Sequence, residues 1–181
     1  MDARAIAIAV LLFFAVPGGT IADEIEEPAG YRFEPYRAPT PRGLTGATTV
    51  DTAAAERMWR EGNALFVDVL PHEAKPANLP AVTVWRERRR DNIPGSVWLA
   101  NVGYGALNPD MEDYFRRSLE ELTAGDRNRA LVFYCQMNCW MSWNAAKRAI
   151  ALGYARVHWY PDGTDGWTAA GLPLAEAQPR S

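Results

Sequence analysis

The only two thiols in the chain lie with three residues between them, in the run Cys135-Gln136-Met137-Asn138-Cys139. A pair this close cannot staple distant parts of a fold, so its use is local. In a tight loop the two Cα atoms can come within the ~4.4–6.8 Å that a disulfide spans, which allows a reversible dithiol or a thiolate backed by a resolving thiol. A buried structural cysteine, or a fixed bond that merely shapes the loop, is the other reading of the same residues. The neighbours narrow the chemistry further. A c-type haem attachment needs histidine after the second cysteine, where Trp140 stands, and His72 and His158 alone do not make a zinc site, so no metal and no cofactor is expected. A cysteine phosphatase needs an arginine closing its loop, and Met141 occupies that place, with no cation until Lys147 and Arg148.

Such a loop works only if its elements hold it at an edge. Residues 130–134, Ala-Leu-Val-Phe-Tyr, form an apolar run of strand length that delivers Cys135 at its end, and a helix is expected from Ser142 to Leu152, stopped by Gly153. Trp140 and Trp143 flank the start of that helix, to cover the loop or to pack in the core. Ser142 is read either as its N-cap or as a donor to a substrate. Residues 64–70 make a second buried-type strand whose one acid, Asp68, has to be hydrogen-bonded there, because an unpaired buried carboxylate is too costly. Asp68 is therefore a supporting residue.

Around these, Ala47 to Val50 reads as a short strand, and Asp51 caps a helix over Thr52 to Glu61 that Gly62 closes. Met111, Tyr114, Phe115, Ser118, Leu119 and Leu122 fall on one stripe of a helix over residues 111–123. Short strands are expected at 97–99 and 156–160, the first entered through the turn Asn92-Ile93-Pro94-Gly95-Ser96. Residues 71–94 read as irregular and 161–167 as turns. His158 reads as a satisfied core histidine. Strand and helix alternate without repeats, which predicts one α/β domain with an open, mainly parallel sheet flanked by helices on both faces. Ligands of such sheets sit beyond the carboxyl ends of the strands, where Cys135 falls.

The first 22 residues carry Arg4, an apolar run from Ala5 to Val16 and a small-residue site ending at Ala22, the layout of a secretory signal peptide. That run of about a dozen residues is shorter than the ~20 a helix needs to cross a bilayer, so no membrane span is expected in the mature chain. Residues 23–46 are rich in proline and aromatics, which suits an extended arm held against the body, and residues 175–181 read as a tail after a domain over 47–174. The net charge of −3 argues against nucleic acid. The run Arg86-Glu87-Arg88-Arg89-Arg90 reads as a solvated loop or as a docking patch for an acidic partner.

Taken in order, residues 64–70, Asn92 to Ser96, Leu131-Val132-Phe133-Tyr134-Cys135, Ala145-Ala146 and Gly166-Trp167 with Gly171-Leu172-Pro173 resemble a rhodanese domain spanning residues 44–174. Within that superfamily, residues 135–148 and Tyr160-Pro161-Asp162-Gly163-Thr164-Asp165-Gly166-Trp167 are similar to exported proteins named for a CXXCW motif and associated with pyrroloquinoline quinone-dependent catabolism. The three-residue spacing of the cysteines departs from that name. The resemblance implies a periplasmic protein of sulfur transfer or thiol redox in which Cys135 is a thiolate of lowered pKa and Cys139 its partner thiol. Backbone N–H groups of Gln136, Met137, Asn138, Trp140, Met141 and Ser142 would form the anion-binding loop. It also lacks the arginine usual near the end of such a loop. The partner would be a small sulfur-containing or thiol substrate. In the alternative, a non-catalytic module docks on a periplasmic quinoprotein dehydrogenase or cytochrome.

Overall fold

A computed structural model describes residues 25–181 except 74, 77, 81, 87 and 88. The leader expected over residues 1–22 lies outside the described residues. Among these, a five-stranded parallel sheet runs in the order β1-β6-β5-β2-β4. Its strands are β1 (Thr48–Thr49), β2 (Leu65–Asp68), β4 (Val97–Trp98), β5 (Leu131–Tyr134) and β6 (Val157–Tyr160). Side chains alternate across it as the two-residue strand period requires. Val67, Leu131, Phe133 and Trp159 face α2 (Pro109–Thr123) and α3 (Trp140–Ala151), while Phe66, Val132, Tyr134 and Tyr160 pack with Ala55 and Trp167 of α1 (Thr52–Glu61) and α4 (Gly163–Ala169). The fold is thus the α/β sheet with helices on both faces that the alternation predicts.

Helix boundaries follow local chemistry. Asp51 accepts from the Ala54 N–H at 2.8 Å to start α1, and Gly62, at φ 63°, ends it in the left-handed conformation glycine tolerates best. Asn108 caps α2 through the Met111 N–H at 2.8 Å, and Phe115, Ser118 and Leu119 of the expected stripe are buried. The Asn92-to-Ser96 turn is a clip on β5: the Tyr134 hydroxyl accepts from the Ile93 N–H at 3.0 Å and donates to Ser96 Oγ at 2.8 Å.

Four elements differ from expectation. α3 begins at Trp140, two positions earlier than Ser142, so that Cys139 is its N-cap residue. Residues 163–169 are helical although their composition reads as turns. Gly163 is required there for another reason: a Cβ on it would lie 2.7 Å from the Cys135 carbonyl oxygen, and its φ is 51°. Finally β3 (Arg90–Asn92) pairs antiparallel with β7 (Ala175–Ala177), two short segments without apolar alternation. Beyond β7, Pro179 bridges to Trp98 and the Arg180 N–H donates to the Trp98 carbonyl at 2.9 Å, so residues 179–180 lie along β4.

α3 approaches the loop after β4 closely at Gly103, where an added Cβ would overlap the Met141 carbonyl. Gly103→Ala is therefore expected to lower stability by ~1–3 kcal/mol, the usual range for overpacking, read from the urea midpoint. An unchanged midpoint would show that this contact yields freely.

Candidate active site

β2 continues to β4 on one side of the sheet, whereas β5 continues to β6 on the other, so the chain paths diverge between β2 and β5. At such a switch point the connecting loops leave a crevice beyond the strand ends. Asp68 and Tyr134, paired in register, are the last residues of those two strands, and Cys135 follows directly. A cavity of about 410 Å³ opens here, lined by Leu70, His72, Arg90, Trp98 and Gln136 among others. A wider depression of about 600 Å³ near Ile25, Arg42 and Leu44 is lined by neither cysteine.

Asp68 is fully buried, and burial pushes its carboxyl up. Against that act the guanidinium of Arg90, whose Nε donates to Oδ2 at 2.7 Å, and the N–H of Leu70, which donates to Oδ1 at 3.0 Å. Burial draws Arg90 down, but the charge and hydrogen bond of Asp68 outweigh it and hold the guanidinium above its ordinary value. The same group donates from its second terminal nitrogen to the Cys135 carbonyl at 3.2 Å. That carbonyl also accepts from the Thr164 N–H at 3.1 Å and hydroxyl at 3.3 Å. Arg90 thus departs from the solvated or docking role read for the basic run. Arg89 keeps to the surface, against Asp91 and Glu176. A solvent-screened surface pair of that kind holds little, whereas removing one partner of a buried pair costs ~3–5 kcal/mol.

Both thiols are free and buried, with Cys135 at 0% and Cys139 at 5% exposure. Each thiol shifts the other's pKa, and the two move in opposite directions. Burial, then the bond and charge of Cys139, push the Cys135 thiol well above its ordinary value, so its expected lowered pKa is corrected. Cys139 is lowered, first by the bond from Cys135 and then, against burial, by N–H groups of Met141, Gln136 and Ser142. Cys139 stands at the N-terminus of α3, where the helix dipole favours an anion, although its side chain makes no capping hydrogen bond. Cys135 lies at the end of β5.

The other loop residues divide cleanly. Gln136 bridges to Gly163, and Met137, 41% exposed, donates its N–H to Asp165 Oδ2 at 3.0 Å. Asn138, at φ 56°, makes the left-handed turn that brings Cys139 back towards Cys135. Met141 is buried, and Ser142 is no cap: its hydroxyl donates to the Cys139 carbonyl at 3.1 Å and accepts from the Trp159 indole at 3.0 Å. Trp140 and Trp143 are both buried and meet edge to face at 5.4 Å. Lys147 and Arg148 turn away, to the carbonyls of Pro28 and of Val102 and Tyr104. His158 sits on β6 away from the loop, half-buried; burial and Arg156 lower its pKa, and neither ring nitrogen has a hydrogen-bond partner, which corrects its reading as a satisfied core histidine. Arg90, Thr164 and Asp165 were missed as site residues. Only Arg90 had a signal, the partner that a buried Asp68 requires.

A parallel α/β sheet with a thiol loop at its switch point defines a cysteine-bearing α/β domain. The match of the rhodanese-like domain family to residues 51–170 makes that specific: the chain belongs to this family, which suggests sulfur transfer or thiol chemistry in general terms. Among solved structures it is similar to a thiosulfate sulfurtransferase from Pseudomonas aeruginosa, at 17% identity and a TM-score of 0.49, over 74% of this chain and 21% of that one. It is also similar to an EanB variant in complex with hercynine, at 22% identity and a TM-score of 0.48, over 72% of this chain and 32% of the other. A full-length protein from Lactobacillus plantarum aligns at 17% identity and a TM-score of 0.46, over 71% of this chain and 88% of that one. No curated protein matches the sequence. No helix among the described residues is long and apolar enough to cross a membrane.

Two outcomes follow from the site. Arg90→Met is expected to cost ~3–5 kcal/mol in urea unfolding, and Asp68→Leu combined with it less than the sum of the two, because the pair then leaves no orphaned charge. A lowered thiol is a thiolate at lower pH, so alkylation of Cys139 should reach half its plateau rate below the ~8.5 of an ordinary thiol, with Cys135 titrating above it. Mass mapping of iodoacetamide adducts against pH checks both, and the reverse order would return the thiolate to Cys135.

Proposed function

We propose that this chain is an exported rhodanese-like protein of thiol redox in which Cys139 is the attacking thiolate and Cys135 the resolving thiol. The observation that carries the reading is the place of Cys139 at the N-cap of α3, where the helix dipole favours an anion, with a second free thiol, Cys135, buried in the same loop. With a disulfide substrate, Cys139 attacks one sulfur, forms a mixed disulfide and expels the other sulfur as a thiolate. Cys135 then gives up its proton to the leaving thiolate and attacks Cys139. The second substrate sulfur departs as a thiolate and takes a proton from solvent, and a Cys135–Cys139 disulfide remains. Two electrons have passed from the protein to the substrate, and a dithiol reductant restores the pair. Sulfane transfer through an anionic donor is less favoured, because the loop has no arginine of its own and Arg90 is committed to Asp68.

Export rests on the leader-like layout of residues 1–22, and a periplasmic setting in pyrroloquinoline quinone-dependent alcohol catabolism on the resemblance of residues 135–148 and 160–167 to the CXXCW proteins. A quinoprotein dehydrogenase or cytochrome is then the natural protein partner, and a small thiol or sulfur compound the alternative substrate. The near-complete burial of both sulfurs favours one second reading, a non-catalytic docking module.

In graded glutathione redox buffers the chain should lose two hydrogens by intact mass as the pair closes. Cys135→Ser should instead stop at a glutathione adduct on Cys139, and Cys139→Ser should form neither product. A sulfur added to either cysteine by thiosulfate would move the reading to sulfur transfer. Thiols that stay free in every buffer would select the docking module.

A further inference from the structure

Something must move before Cys139 can react, since it is 5% exposed. The element across it is the arm. Arg32 is pinned to α3 by Asn144, which accepts from its N–H and donates to its carbonyl, each at 2.9 Å. Leu44, 4% exposed, anchors the other end in the core. Between these anchors residues 33–43 bow over the cysteine loop, with Phe33 59% exposed and Arg37 outside.

The bow is held as one strand holds another. Arg37 bridges antiparallel to Cys139, the Ala38 N–H donates to the Asn138 carbonyl at 3.0 Å, and the Tyr36 carbonyl accepts from the Trp140 N–H at 2.8 Å. The Trp140 indole adds a bond to the Pro39 carbonyl at 3.1 Å, and Arg37 reaches Asp165 at 3.5 Å across exposed surface. Beside these main-chain bonds the segment is tied by Tyr36, whose hydroxyl accepts from the Gly105 N–H at 3.1 Å and whose ring meets Tyr104 edge to face at 5.4 Å, and by buried Pro41, while residues 33–35, 37, 39 and 42 are exposed. A segment so lightly buried can lift while both anchors stay. Lifting bares an acceptor on Asn138 and a donor on Trp140, on either side of the Cys139 sulfur. Trp140 opens α3, so its N–H has no partner inside the helix. Unpaired peptide groups at a half-buried site are costly, and what satisfies a donor and an acceptor in strand register is another extended main chain.

We propose that residues 33–43 are a displaceable strap, and that the partner of the Cys139 loop is an extended polypeptide segment of a disulfide-bearing protein that takes the strap's place. The partner half rests on the thiol-redox reading above; the strap half does not.

The test uses the full chain with 2,2′-dithiodipyridine, with a peptide carrying a thiopyridyl-activated cysteine, and with the same peptide N-methylated on both flanking residues. Ala38→Pro deletes one strap hydrogen bond and should speed labelling of Cys139 by about fivefold. Should that variant not fold, the wild-type chain suffices: its Cys139 labelling should depend on urea far more weakly than global unfolding does. The unmethylated peptide should react about tenfold faster than its methylated twin, which has lost the donor to the Asn138 carbonyl. Labelling that tracks global unfolding would overturn the strap, and equal rates for the two peptides would overturn the extended partner. Label that enters Cys139 but never passes to a bond with Cys135 would remove the redox reading and leave the strap standing.

Discussion

The guanidinium of Arg90 is the point at which the site is fastened. One of its N–H groups answers the buried charge of Asp68 at the end of β2, and another holds the carbonyl of Cys135 at the end of β5. The two central strands of the sheet are therefore cross-tied beyond their last residues by a side chain arriving from β3, which is itself kept in place by β7. Direction of the Cys135 carbonyl fixes the start of the loop, and with Asn138 turning the chain back, the start of the loop fixes where the second sulfur falls. An ion pair so deep is weak evidence for net stability. Its service here is geometric.

The division of labour between the sulfurs follows from solvation. A thiolate inside protein survives only where donors replace water. The head of α3, with its dipole, favours that at Cys139, whereas Cys135 is hemmed in by β5, the Asp68 charge and Thr164, with its carbonyl rather than its sulfur receiving the donors. The same packing thus pushes one thiol up while its neighbour is lowered.

Much of this could be read from residue order. The apolar runs at 64–70 and 130–134 mark strands buried on both faces, the second placing Cys135 at a strand end, and the spacing of Met111 to Leu122 marks α2. The identity of the thiolate could not be read, because peptide N–H groups carry no residue signature and their direction depends on where α3 begins. α4 was hidden by Gly163, which is there to let the backbone approach Cys135. β3 and β7 were hidden because Arg90-Asp91-Asn92 and Ala175-Glu176-Ala177 owe their pairing to tertiary placement. Asp68 announced a missing cation, and a neighbouring run of arginines contained it, but nothing in the run singled out Arg90.

The last residues of the chain carry a further implication. β4 is the outermost strand on its side of the sheet, and the Trp98 carbonyl that would face solvent there is occupied by the Arg180 N–H, with Tyr114 donating its hydroxyl to the Arg180 carbonyl from α2. Residues 179–180 are in effect a selvedge, the woven margin that keeps a cloth from fraying or catching on its neighbour. Without it the sheet would offer a raw border of main chain to any other strand, and self-association, rather than unfolding, is the failure such a border invites.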